Sequence, residues 1–275
     1  MDTRTVPTSI RGPLGRARRY TYRRRNAFAR ALHERGGAGP LVPDPVFVLC
    51  PVRSGSTLLR AILNKHPQIS SPHELHLNTM RVSTAKPYAR NSWASLQLTP
   101  EDLENMLWDR ALHWNLVRDG KRIIVDKTPQ NAAIWPRIHE YWPEARYVHL
   151  RRHPASIVAS LVRAKPNDPP EEQVRRVLLY GSQLDSAREA LSGPTVRYED
   201  LTRDPEGTIK QICRYLGVRW QPRMLNYDRT GHHAGLGDWS AKIRSGRIQP
   251  PDPLPDPSEI PAALLPLVRS WNYLD

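Results

Sequence analysis

The sequence has few cysteines and no long apolar run. Its 275 residues include only two cysteines, Cys50 and Cys213, too few for a disulfide framework, which favours a reduced, cytoplasmic setting. No stretch reaches the ~18 apolar residues typical of a membrane span. The arginine-rich N-terminus lacks an apolar core before a small-residue cleavage site, so it does not match a secretory signal. We therefore expect a soluble cytoplasmic protein.

Acidic side chains are also few. The chain has 41 lysines and arginines against 27 acids, a formal net charge of +14, and ten of the arginines fall within the first 35 residues. A basic body suits a polyanionic ligand, and residues 1–40 form a basic extension suited to an acidic carrier protein or an anionic surface. Nucleic-acid binding stays open as an alternative, although positive charge alone is weak evidence for it.

Residues 41–275 are interpreted as a single domain in which strands and helices alternate. The pattern predicts strands at 46–50, 123–125, 146–150 and 195–198, and helices at 20–33, 57–65, 99–114, 131–141, 154–163, 171–191, 205–216 and 261–271. This alternation predicts an α/β fold with a mostly parallel central sheet flanked by helices. Residues 67–98 have no clear period and are expected to be irregular. Residues 228–257 are expected to form a long lid or substrate loop.

A turn of small residues, Pro51-Val-Arg-Ser-Gly-Ser-Thr57, links the first strand to the first helix. Backbone amides of such a turn, reinforced by the helix dipole, bind anions. The glycine and lysine of a Walker A loop are replaced by Cys50 and Ser56, which disfavours ATP or GTP. The alternative is an ordinary turn with a surface arginine. The candidate phosphate-binding residues here are Arg53, Ser54, Gly55, Ser56, Thr57 and Leu58.

A second candidate phosphate site follows the third predicted strand, in His149-Leu-Arg-Arg-His-Pro154. Arg152 at the strand end can bind phosphate oxygens with its planar guanidinium. Ser160 can donate a hydroxyl if the following helix packs beside the same phosphate. Consecutive strand residues point to opposite sides, so the role of Arg151 is open. The alternative places both arginines on a solvated helix start.

Taken together and in order, the two motifs resemble those of the PAPS-dependent sulfotransferases, which use 3′-phosphoadenosine 5′-phosphosulfate (PAPS) as donor. The similarity continues through Arg60-Ala-Ile-Leu-Asn-Lys-His-Pro67 and is strongest to the bacterial and tyrosylprotein branches. The resemblance implies a P-loop-like three-layer sandwich. It also implies that Arg53 holds the phosphosulfate and stabilises the leaving phosphate, while Arg152 and Ser160 hold the 3′-phosphate of PAPS or of its product PAP.

The same resemblance suggests the catalytic groups. Glu74, seven residues after Pro67, stands where related enzymes place a catalytic glutamate, and a carboxylate is able to take the acceptor proton. His73 and His76 remain rivals for the base and weaker candidates for substrate contact. Lys127 resembles a lysine that contacts the sulfuryl group. The alternatives are a surface glutamate in a mobile loop and a solvated lysine.

Three further residues are weaker candidates for nucleotide contact. Tyr198, in a segment interpreted as mainly structural, is suited to approach the adenine. Lys242 and Arg244 follow Gly235-Leu-Gly-Asp-Trp239, which loosely resembles the loop that closes over PAPS. The ten histidines show no strong zinc signature, so we expect no metal.

The expected reaction is in-line transfer of a sulfuryl group from PAPS to a hydroxyl or amine of a small-molecule, lipid or carrier-bound acceptor. The rival functions are a P-loop kinase-like phosphotransferase, a basic nucleic-acid-binding protein and an inactive nucleotide sensor. The missing Walker lysine argues against the first of these. The sequence does not identify the acceptor.

Overall fold

The computed structural model describes residues 39–227 and 243–274, which include five strands. The strands are β1 (Val46–Leu49), β2 (Ile69–Ser70), β3 (Ile123–Asp126), β4 (Arg146–Arg151) and β5 (Thr195–Arg197). They form one sheet in the order β2-β3-β1-β4-β5. Every pairing among them is parallel, and Val46 of β1 stands opposite both Val125 of β3 and Arg146 of β4.

Helices connect the strands, as parallel pairing requires. The α-helices are α1 (Ser56–Asn64), α2 (Pro87–Ser95), α3 (Pro100–Asp119), α4 (Trp135–Tyr141), α5 (Pro154–Ala164), α6 (Pro170–Ala190), α7 (Tyr198–Arg203), α8 (Pro205–Tyr215) and α9 (Leu265–Ser270). Short 3₁₀ helices lie at Leu77–Thr79, Pro129–Ala133, Pro222–Leu225, Ile243–Ser245, Pro257–Glu259 and Ala262–Leu264. No helix in the described ranges is long and apolar enough to cross a membrane.

The central strand β1 is buried on both faces. Its alternating side chains divide between two apolar clusters: Phe47 and Leu49 belong to one, and Val46 and Val48 to the other, as the two-residue period of a strand requires. On the first side Phe47 packs against the rings of Trp108 and Trp142, with centroids 5.9 and 5.6 Å away. The sheet is therefore covered on both faces, and the three-layer α/β fold predicted from the sequence is confirmed.

Helix α3 begins as predicted but ends later. Thr99 accepts a hydrogen bond from the backbone N–H of Asp102, whose side chain accepts one from the Thr99 N–H, a reciprocal capping box. The helix continues to Asp119 and ends at Gly120, which has a φ of 61°. The predicted end near residue 114 was wrong because Trp114 and Val117 are exposed, which breaks the apolar periodicity.

Three local predictions were wrong. The segment 67–98 contains β2, a 3₁₀ turn and α2, but β2 has two residues and α2 has no buried side chain, so neither produces an apolar period. The helix predicted at 131–141 is divided at Ile134, whose φ is −118°. Tyr198, assigned to a strand end, begins α7.

The extension 1–40 lies almost entirely outside the described residues, and its helix at 20–33 and the first half (228–242) of the lid predicted at 228–257 lie wholly outside them. The elements named above belong to the unit Val42–Asp275. The single domain and the lid stay predictions.

Candidate active site

A cavity of about 770 Å³ lies at the loops that follow β1, β3 and β4. In parallel α/β sheets, ligands bind at the carboxyl ends of the strands. Here β1 is followed by the small-residue turn, β3 by Lys127 and β4 by Arg152. The sheet therefore brings together three segments that are far apart in sequence.

The turn after β1 depends on glycine. Gly55 has a φ of 87° and caps the N-terminus of α1. A Cβ at this position would lie 2.2 Å from Cδ2 of Tyr198, so any side chain would clash with the ring. Ser56 and Thr57, in the first turn of α1, line the cavity, where the N–H groups of a first helical turn are available to a ligand.

Hydrogen bonds connect the two predicted phosphate sites. Nε of Arg53 donates to Oγ of Ser160 over 3.1 Å, and Arg152 donates to the carbonyl oxygen of Arg53 over 3.1 Å. The guanidinium of Arg152 also lies over the Tyr198 ring, 4.6 Å from its centroid, and 3.8 Å from a carboxylate oxygen of Asp252. Both arginines line the cavity. The loops after β1 and β4 thus form one continuous surface.

The environment of Arg53 is strongly electropositive. Burial lowers the pKa of its guanidinium, and the positive charges of Arg152 and Arg163 lower it further. Six basic side chains line the cavity against the carboxylates of Glu74 and Asp252. Such crowding of like charges is relieved by an anionic ligand.

Glu74 lines the cavity and forms an ion pair with Lys127, which lies behind it and does not line the cavity. Nζ of Lys127 lies 2.5 Å from Oε1 of Glu74, and Nε2 of His76 lies 3.3 Å from Oε2. The Lys127 side chain is 1% exposed and that of Glu74 13%. The alternatives of a solvated lysine and a surface glutamate are therefore wrong.

The residues beside this pair are inert. Burial raises the pKa of the Cys50 thiol to about 11, although Lys127 opposes the shift, so the thiol is protonated at neutral pH. Asp126, directly before Lys127, accepts hydrogen bonds from Oγ1 of Thr128 (3.0 Å) and Nε1 of Trp108 (3.2 Å). These bonds fix the turn that presents Lys127.

Most of the predicted site residues face the cavity. Its lining includes Arg53, Gly55, Ser56, Thr57, Leu58, Glu74, His76, Arg152, Ser160 and Tyr198. Ser54 does not line it, because its hydroxyl is buried and donates to the carbonyl oxygen of Pro51. Neither Lys127 nor His73 is among the lining residues. Lys242 and the side chain of Arg244 lie outside the described residues.

Arg151 is separated from Arg152 as strand alternation predicts. Burial lowers the pKa of the Arg151 guanidinium, the positive charge of Arg188 lowers it further, and Tyr273 opposes the shift. Arg151 does not line the cavity. The described ranges contain no group of three or more metal-ligating side chains that could hold an ion; the expected absence of a metal stays a prediction.

Sequence reasoning missed one wall of the cavity. The additional lining residues include Gln130, Arg163, Lys165, Arg176, Tyr180 and Arg247. Arg163 follows Ser160 by three residues on α5, a spacing that places both on one helix face, so it could have been found. No motif marks the others.

The Sulfotransferase family model matches residues 45–222, well over half of the chain. The chain belongs to the sulfotransferase family. The family resemblance inferred from the two phosphate motifs is thereby confirmed.

Curated relatives of this sulfotransferase-family chain include bacterial and animal proteins. Nodulation protein NoeE of Sinorhizobium fredii is 32% identical over 131 residues, 44% of this chain and 31% of that protein. Protein-tyrosine sulfotransferase 1 of Danio rerio is 21% identical over 208 residues, 66% of this chain and 56% of its own. The chain thus spans 31% and 56% of these two relatives' lengths.

Two solved structures share the fold. A sulfotransferase domain from the curacin biosynthetic pathway has a TM-score of 0.58 and 22% identity, and covers 84% of this chain and 98% of its own. The sulfotransferase domain of the Synechococcus PCC 7002 olefin synthase has a TM-score of 0.59 and 24% identity, with coverages of 87% and 97%. The P-loop-like fold predicted for this sulfotransferase-family chain is confirmed.

Proposed function

We propose that the protein transfers a sulfuryl group from PAPS to a hydroxyl or amine of an acceptor by in-line displacement. One observation carries the proposal: Arg53 and Arg152, from different loops, line one cavity and are joined by a hydrogen bond. Two adjacent cationic sites suit a nucleotide that has phosphate groups at both its 3′ and 5′ positions.

The residues present fit this donor. The turn from Arg53 to Leu58 would hold the 5′ end, because its helix N-terminus and small side chains suit a phosphate. Arg152 and Ser160 would hold the 3′-phosphate, and the Tyr198 ring would contact the purine. Lys242 and Arg244 stay proposed lid contacts. The bound donor would supply the sulfuryl group and, in PAP, a stable leaving group.

Glu74 is the proposed base. It would take the proton of the acceptor hydroxyl while the new oxygen–sulfur bond forms and the bond from sulfur to the 5′-phosphate oxygen breaks. As Glu74 gains the proton its attraction for Lys127 falls, which leaves the ammonium to stabilise charge on the sulfuryl oxygens. Arg53 would stabilise the charge that develops on the leaving phosphate.

His76 is the nearest rival to Glu74, since it lies 3.3 Å from the carboxylate. We assign it the role of a polar neighbour that orients Glu74, and His73 no contact with the reacting atoms. Glu74 differs from His76 in its ion pair, because the only side-chain hydrogen bond of Lys127 among the described residues is to the Glu74 carboxylate. We therefore assign the base to Glu74.

The remaining proposals concern the acceptor, the N-terminal extension and the location of the protein in the cell. The acceptor is a small molecule, lipid or carrier-bound group with a hydroxyl, and residues 1–40 are suited to an acidic carrier or an anionic surface. A cytoplasmic location is proposed because Cys50 and Cys213 are free and buried, as a reducing compartment maintains.

Calorimetric titration tests the donor assignment. We expect the full chain to bind PAP without magnesium, more tightly than AMP, which lacks the 3′-phosphate, and than ATP with magnesium. Preference for ATP with magnesium, or failure to bind PAP, would contradict the proposal. Radiolabelled PAPS then detects transfer to a panel of hydroxylated acceptors.

A further inference from the structure

One wall of the cavity is formed by side chains that the proposed donor contacts do not use. This wall comprises the C-terminal end of α5, the helix α6 and the 3₁₀ turn Pro129–Ala133, which pack against one another. Tyr180 on α6 and Gln130 of the turn line the same cavity as Glu74, which is paired with Lys127. The wall therefore shares the cavity with the proposed base, where an acceptor must enter.

Three basic side chains line this wall: Arg163, Lys165 and Arg176. The carboxylates of the cavity do not neutralise them, because Glu74 is paired with Lys127 and Asp252 with Arg152. Neither Arg163 nor Lys165 forms an ion pair within the part of the chain that the structure describes.

Arg176 is held in place from outside the cavity. Its guanidinium donates to Asp168 over 3.1 Å and to Glu172 over 3.3 Å, and neither acid belongs to the lining. These contacts restrict the long side chain, so less conformational entropy is lost when it binds a ligand. The arginine thus lines the same wall as two cations that form no ion pair among residues 39–227 and 243–274.

Polar groups lie on the same wall. Oε1 of Gln130 is buried and has no hydrogen-bond partner among residues 39–227 and 243–274, and a buried acceptor of this kind needs one. Burial raises the pKa of the Tyr180 hydroxyl, although Arg176 opposes the shift, so the phenol stays protonated and is able to donate. Leu161 and Ala164 supply apolar surface beside them.

We propose that the acceptor carries an anionic group, a carboxylate or a phosphate, which Arg163, Lys165 and Arg176 bind while the acceptor hydroxyl faces Glu74. Gln130 and Tyr180 contact the polar atoms of the acceptor near this group. The inference rests on the proposed function and adds the chemical class of the substrate to it.

Matched acceptor probes test the anionic requirement. One set is para-hydroxyphenylacetate, its methyl ester and para-hydroxybenzyl phosphate; the other is ω-hydroxylaurate, its methyl ester and ω-hydroxylauryl phosphate. Transfer from radiolabelled PAPS gives kcat/KM, and calorimetry on the PAP-saturated chain gives Kd for probes that are not turned over. The carboxylate and phosphate members should exceed their neutral partner by about tenfold or more. The ratio of kcat/KM, or of Kd, between the carboxylate and the phosphate probe identifies which anion the site binds.

Single variants assign the effect to the wall. Arg163→Gln, Lys165→Gln and Arg176→Gln should each weaken the anionic probes by about tenfold and the methyl esters by less than about twofold. Arg175→Gln is the matched control, because Arg175 also pairs with Glu172 but is 70% exposed and outside the cavity. Arg176→Lys, which keeps the positive charge, should weaken the anionic probes less than Arg176→Gln does.

The outcomes separate this inference from the function on which it rests. If PAP binds but neutral and anionic probes behave alike, or no anionic probe binds, the anionic subsite is wrong and the donor assignment stands. If Arg163→Gln or Arg176→Gln weakens PAP as much as the anionic probe, the residue belongs to the donor site and the inference is overturned. Failure of wild type to bind PAP overturns both.

Discussion

Nζ of Lys127 lies 2.5 Å from Oε1 of Glu74 across 53 residues of sequence, and both side chains are largely shielded from water. A carboxylate that lines the cavity and is held by a buried ammonium is placed to receive a proton from a ligand. The same contact means that neither partner can be removed without leaving the other charge under-compensated.

Glu74→Gln should reduce transfer by about a hundredfold to ten-thousandfold, because the amide keeps the shape but cannot accept the proton. PAP affinity should change by less than about threefold. The measurement is kcat with labelled PAPS beside calorimetric Kd for PAP. His76→Gln is the matched control, and a larger loss of kcat there than in Glu74→Gln would make His76 the base.

The pair should behave as a unit when both members are replaced. The loss of kcat in Glu74→Gln with Lys127→Met should be smaller than the product of the two single losses, since residues that act together have non-additive effects on rate. Its free energy of unfolding should exceed that of Lys127→Met, which leaves a buried carboxylate unpaired. Urea denaturation and kcat measure the two quantities. Fully additive losses in both would contradict the coupling.

Arg152→Ala should distinguish the two ends of the donor. We expect PAP affinity to fall by about tenfold or more and AMP affinity to change little, because only PAP has the 3′-phosphate that the guanidinium is proposed to bind. Arg151→Ala serves as the matched control, since Arg151 does not line the cavity. Equal losses for PAP and AMP would show that Arg152 acts only by supporting the Arg53 loop.

The part of the cavity proposed for the donor could be predicted because one short segment carries most of it. The turn from Arg53 to Leu58 combines a strand end, a positive-φ glycine and a helix start, each with a local sequence signal. The same holds for Arg152, which directly follows a strand. Of the wall formed by α5, α6 and the Pro129–Ala133 turn, only Arg163 could have been predicted, because Gln130 and Tyr180 are brought together by helix packing, for which a single sequence gives no local pattern.

The fold shows the same division. β1 and the helix after it were predicted because their apolar side chains are buried in a regular period. Helix α2 was missed because none of its residues is buried. Tyr198 was assigned to a strand end because its ring packs beside Gly55 of the loop after β1, a long-range contact that gives no local signal in the sequence.

Acid should destabilise the fold through His149. Burial lowers the pKa of this histidine from its ordinary 6.5 to about 4, so between these values the unfolded chain binds a proton that the folded chain does not. Stability is therefore lost as the pH falls, by about 2 kcal/mol at pH 5 for this group. His66 and His153, whose pKa values burial also lowers, act in the same direction.

Urea denaturation between about pH 8 and pH 5 measures this loss for wild type and His149→Gln. The variant should show a shallower decline, because it removes the group that titrates. The exposed His139 provides the control variant His139→Gln, whose decline should match wild type. An unchanged slope in His149→Gln would show that the proton is taken up elsewhere.

Gly55→Ala should disable the donor site through the Tyr198 ring. The left-handed φ of 87° costs an alanine about 1–2 kcal/mol, and its Cβ would also lie 2.2 Å from Cδ2 of Tyr198, which forces the loop or the ring to move. Gly120→Ala is the matched control, because Gly120 has a φ of 61° with no neighbouring atom within 4 Å. Both variants should lose stability, but only Gly55→Ala should lose PAP affinity, by about tenfold or more.

Adding Tyr198→Ala to Gly55→Ala removes the clash, so it should recover stability relative to Gly55→Ala while PAP binding stays weak for lack of the ring. If Gly55→Ala and Gly120→Ala had the same effect on PAP affinity, the contact between Gly55 and Tyr198 would have no part in holding the nucleotide.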